Sequence, residues 1–245
     1  MDSVPRRELL EHPRHTWRRE LTWHPGDLGW RIAALFMVGS FLFALGSFPL
    51  YWGLVDARVV GLTFVVGSLF FTAAGYSTFF QVINGSDGAG PGPGARPRYW
   101  AWQPRGMAWW SAFVQLIGTL LFNINTIAAM LTTLTVEQTN RLVWAPDFFG
   151  SIAFLVASHL AWLMVCHRLW CVRPQDSDWW IAALNYLGSI FFMASAIASF
   201  TLPTDGEPLN IAIVNVGTFL GAVCFFVGAY LLLPPAAAAR TRGAS

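Results

Sequence analysis

Gly39-Ser40-Phe41-Leu42-Phe43-Ala44-Leu45-Gly46-Ser47 decides the fold of this chain, because its pattern recurs in every long apolar run. The pattern is Gly, a small residue, Phe at the fifth position, and small residues or Asn-Thr at the eighth and ninth. Further copies begin at Gly67, Gly118, Gly150, Gly188 and Gly221, with Phe71, Phe122, Phe154, Phe192 and Phe225 at the fifth position. At helical period, positions one, five and eight fall within an arc of roughly 60°. Each run therefore reads as a helix with a stripe of small, Phe, small along one face. Lipid supplies no hydrophobic drive between helices, so small residues let backbones approach and dispersion holds them. The stripe describes packing. It names no reaction and no ligand.

The six runs span about 31–52, 59–83, 109–136, 148–167, 179–202 and 209–233, each close to the roughly 20 residues a membrane crossing needs. With mean hydropathy +0.50, 55% hydrophobic residues and 11% charged residues, the 245-residue chain reads as an integral membrane protein. Residues 1–30 are rich in Arg, Glu and His and do not read as a signal peptide. All 15 basic residues are arginine, which excludes retinal and pyridoxal chemistry, since both need a lysine amine. Of the cysteines, Cys166 and Cys171 lie near one helix end and Cys224 in the last run, so no disulfide framework is expected.

Arginine placement gives a topology. With the N-terminus cytoplasmic, 13 arginines fall inside, and only Arg58 and Arg141 outside. Both termini are then expected in the cytoplasm, in the plasma (inner) membrane. Repeat starts are separated by 28, 51, 32, 38 and 33 residues, which pairs the runs as three tandem hairpins. Trp30, Trp109 and Trp179 each stand nine residues before an odd-numbered repeat glycine, where interfacial indoles are expected. The resulting division is a basic arm at 1–30, hairpin one at 31–83, a Gly/Pro-rich linker at 84–108 and hairpin two at 109–167. A loop at 168–178, hairpin three at 179–233 and a tail at 234–245 complete it. In the arm, Arg6-Arg7-Glu8-Leu9 recurs as Arg18-Arg19-Glu20-Leu21, a pattern suited to contact with anionic lipid; a solvated tail is the alternative.

Leu35-Phe36-x-x-Gly39-Ser40-x-x-Phe43-x-x-Gly46-Ser47, and Asp147-Phe148-Phe149-Gly150-Ser151-Ile152-Ala153-Phe154, resemble the YrhK-like family of small bacterial membrane proteins. The resemblance implies a multi-pass protein of paired helices. It brings no established activity and no catalytic residues.

Candidate sites are few. Apart from Arg31 at the start of the first, the six runs contain no Asp, Glu, Arg or Lys, which argues against ion-coupled transport. His159 is the one ionisable side chain deep in a run, suited either to proton sensing or to an interhelical hydrogen bond. In the third run Ser111, Gln115, Thr119, Asn123 and Thr126 form one polar stripe, with Asn125 beside it. Asn185 and Asn215 add amides in later runs. Together they form either a hydrogen-bonded spine fixing helix register, which we favour, or a narrow polar path. Cys166, His167 and Cys171, or His12, His15 and His24, make incomplete metal sets, so no metal is expected. No nucleophile–base–carboxylate set and no phosphate loop occurs.

The expectation is an all-α, six-span bundle that is not an enzyme, binds no cofactor or nucleic acid, and acts through assembly or a partner in the bilayer. A passive facilitator for a small neutral solute is the alternative.

Overall fold

The computed structural model describes residues 23–85 and 96–233, all helix and connecting turns apart from one isolated bridge, Thr201 to Pro208. Six helices are long and apolar enough to cross a membrane: α1 Leu28–Gly46, α2 Ala57–Asn84, α3 Met107–Ala128, α4 Val136–Cys166, α5 Ser177–Ala198 and α6 Ile211–Leu232. The chain is a multi-pass membrane protein. Side-chain caps start several helices. The Asp27 carboxylate accepts from Trp30 N–H, Asn210 accepts from Ile213 N–H, and Thr135 forms a capping box with Gln138.

Each helix packs on its neighbours in the chain, and α6 returns to α1, so the six close into a ring. The repeat explains the closure position by position. Its glycines face one another inside each hairpin: a methyl on Gly39 would stand 3.1 Å from the Gly67 carbonyl oxygen, and one on Gly118 would stand 3.1 Å from that of Gly150. The same glycines seat the partner's phenylalanine, so Gly67 receives Phe43 while Gly39 receives Phe71. Position two turns to the next hairpin, and Ser40, Ser68, Thr119, Ser151, Ser189 and Ala222 are all 0% exposed. Across these seams Ser68 Oγ meets Thr126 Oγ1 at 3.0 Å and Ser158 Oγ donates to Ser189 Oγ at 3.0 Å. The seam between α6 and α1 carries Ala229 at the matching ninth position, and Ser40 Oγ is buried there without a partner. A hydroxyl deprived of water in this way costs stability unless a bond replaces it.

The six phenylalanines fill the axis. Phe43, Phe122 and Phe192 of the odd helices touch one another at 6.3, 6.1 and 5.8 Å between ring centroids. Phe71, Phe154 and Phe225 of the even helices form a second triangle at 6.2, 6.1 and 5.7 Å. Within the hairpins the triangles are tied by Phe43–Phe71, Phe122–Phe154 and Phe192–Phe225 at 5.3, 5.0 and 5.2 Å. Each such pair contributes about 0.5–1.5 kcal/mol beyond its area burial. Phe41, Leu69, Ile124, Val156, Ile190 and Val223 stay exposed on the outside of the ring, as contact with lipid requires.

Several expectations are corrected. The first run ends at Gly46, and Pro49–Trp52 is a separate helical turn. The third run ends at Ala128 rather than residue 136. Residues 137–147, expected as loop, belong to the first turns of α4, which passes through a π turn at Asn140–Trp144. The capping box at Thr135 starts this helix, and Pro146 sits inside a continuous helical run rather than at its beginning. The fourth span therefore does contain Glu137, Arg141 and Asp147. Cys166 and Cys171 are joined by a disulfide, because His167 adopts a left-handed conformation at φ 55° and folds the loop back to a Cα separation of 5.5 Å. Trp109, expected at the membrane interface, turns its indole into the protein at the first turn of α3. It is 1% exposed, with its Nε1–H on the Ala101 carbonyl. Trp179 repeats that bond eight residues back, to Cys171.

Candidate ligand-binding cavity

Beyond the phenylalanine plug, at the end formed by Gly46, Ala57, Ala128, Val136, Ala198 and Ile211, lies a cavity of about 240 Å³. All six helices line it, through residues such as Phe43, Phe64, Asn125, Asp147, Ser195 and Thr218. Phe43 belongs both to this wall and to the plug, so the plug closes the cavity on its axial side.

Asp147 is its one carboxylate, set a single turn before Gly150 on α4. The π turn upstream is anchored by Asn140, whose amide donates to Thr201 O at 2.7 Å and accepts from Thr201 N–H at 2.9 Å. Trp144 Nε1–H adds a bond to Ala196 O at 3.0 Å, fixing α4 to α5 beside the carboxylate. Ser199 Oγ donates to Asp147 Oδ2 at 3.3 Å, and the Asn125 side chain bonds the same carboxylate. An ionised carboxylate offers about four acceptor sites, so two donors leave about half of that capacity open. Among the described residues no cation pairs with it. The neighbouring hydroxyls are committed elsewhere: Ser195 Oγ meets Thr218 Oγ1 at 2.8 Å, and Thr126 Oγ1 donates to Phe122 O at 2.9 Å.

The residues expected as a spine or path do not converge. Of these residues, only Asn125 and Thr126 of α3 reach the cavity. Asn123 Nδ2 donates to Thr72 Oγ1 at 2.8 Å across the α2–α3 seam, and its Oδ1 is buried without a partner. Ser111 Oγ donates to Ala157 O at 2.9 Å on α4, while Thr119 Oγ1 donates to Leu116 O of its own helix. One stripe thus bonds both neighbouring helices. Gln115 and Asn215 are half-buried. The Asn185 amide sits against Gly228, where an added methyl would stand 3.0 Å from Oδ1. His159 lines a separate lateral cavity of about 390 Å³ with Trp162, Trp170 and Tyr186, and its Nδ1 is buried without a partner. Its ring lies 5.5 Å from that of Tyr186.

Asp147 itself escaped the sequence reading. Its signal was available, since Thr135-x-x-Gln138 is a capping-box pattern that starts the helix twelve residues earlier. Comparison with protein-family models, with curated proteins and with solved structures finds no match.

Proposed function

We propose that this protein is a non-enzymatic membrane bundle that acts by binding, taking a small ligand or a partner's side chain into the Asp147 cavity without passing it through the bilayer. The observation that carries this reading is the juxtaposition of a cavity lined by all six helices with a phenylalanine plug directly behind it. A wet path needs a continuous polar lining, and the axis is instead filled with apolar rings. At 240 Å³ the cavity falls below the usual 300–1,000 Å³ of drug-sized pockets, so the ligand is small. The rest of the assignment belongs to the same proposal: three hairpins as copies of one unit, kinship with YrhK-like proteins, and a bacterial inner-membrane location with cytoplasmic termini. Residues 1–22 of the basic arm, to which anionic-lipid contact is assigned, lie outside the described residues.

The facilitator reading keeps one supporting observation, the unpartnered Asn123 Oδ1. Purified protein tested in parallel by thermal melting in detergent and by solute flux in liposomes separates the two. Small solutes should raise the melting temperature while liposomes stay tight. Solute flux above that of protein-free liposomes would replace binding with conduction.

A further inference from the structure

Resting on that reading and deepening it, we infer that the Asp147 cavity selects a small organic cation, an alkylammonium group. Three features of the wall converge on that chemistry. Asp147 supplies a carboxylate with open acceptor capacity and no paired cation among the described residues. Phe43, Phe64 and Trp144 supply aromatic surface in the same cavity. Ring faces attract cations, and the attraction grows once water is excluded. Ser195 and Thr218 are bonded to each other and so contribute little ligation.

These features also select against other ligands. Calcium takes about six to eight oxygens, several of them carboxylate, and zinc prefers His and Cys ligands; the lining offers a single aspartate and neither His nor Cys. An anion would meet Asp147 with no arginine in the lining. A neutral solute offers neither a charge to Asp147 nor a cation to the ring faces, so it uses neither feature of the wall. An ammonium group answers both the carboxylate and the rings. Asn125 and Ser199 then act as positioning residues that hold the carboxylate toward the cavity.

The test uses the full-length protein in detergent at constant ionic strength, with three probes: tert-butylammonium, the neutral tert-butanol of similar size, and sodium. Tert-butylammonium should raise the melting temperature and bind at least about tenfold more tightly than tert-butanol by calorimetry. Asp147→Asn should abolish that preference, although the comparison of probes on the unaltered protein decides the matter even if the variant does not fold. Equal binding of alcohol and ammonium would overturn charge selection while leaving a binding cavity in place. Sodium matching tert-butylammonium would make the site an inorganic cation site and overturn the aromatic contribution. If none of the three binds, this inference falls, while the melting and flux comparison decides the binding function separately.

Discussion

Gly188 and Gly221 lie face to face across the third hairpin, each so close that a methyl group added to it would stand 3.0 Å from the other's carbonyl oxygen. The same glycines seat Phe225 and Phe192, so backbone approach and ring insertion are one packing event. The corresponding pairs, Gly39 with Gly67 and Gly118 with Gly150, repeat it around the ring.

Leucine at Gly39, Gly67 or Gly188 should therefore destabilise the bundle by roughly 1–3 kcal/mol through overpacking. Val59→Leu, at an exposed position, should be close to neutral. Thermal melting in a single detergent compares them. Equal tolerance at glycine and control positions would show that the close approach carries no energy.

Asn123→Leu should cost little. It removes the 2.8 Å bond to Thr72, but it also removes the buried Oδ1 that has no partner. Membrane hydrogen bonds average about 0.6 kcal/mol, so a fall in melting temperature of a degree or two is expected, with no flux to lose. Loss of a measurable flux would count for a path through α3.

Cysteine chemistry has a definite expectation. Unfolded without reductant, the protein should alkylate at Cys224 alone, and after reduction at all 3 cysteines, as read by mass spectrometry. Closing so short a loop constrains the unfolded chain by about 2 kcal/mol, so reduction should lower the melting temperature. Three reactive thiols before reduction would show the pair open.

Topology can be read at Asp205, exposed in the α5–α6 connection. A reporter there should read external, and one at Ser245 cytoplasmic, because 13 of 15 arginines fall on the side of the termini. Thr139 is a poor insertion point, since it lies within α4 and lines the cavity. A cytoplasmic reading at Asp205 would reverse the orientation.

By itself the sequence determined the number of spans, their pairing and the stripe on which they pack. Those properties follow from helical period and run length, which are local: Gly39, Ser40 and Phe43 fall on one arc wherever the helix goes. Only the tertiary structure decided what each part of the arc meets, with glycine facing its hairpin partner, position two facing the next hairpin, and phenylalanine facing the axis. Ring closure makes that division, and closure depends on contacts between residues as distant as those of α1 and α6. The polar residues were separated for the same reason. Asn123 and Asn125 are two positions apart on one helix and so point in different directions, one into the seam with Thr72 and the other to Asp147. The capping box at Thr135 marks the helix start that puts Asp147 inside α4, but its place in the cavity depends on how α4 packs against the other five helices. Physically, a carboxylate's role depends on what surrounds it, and here every helix of the ring contributes to that surrounding.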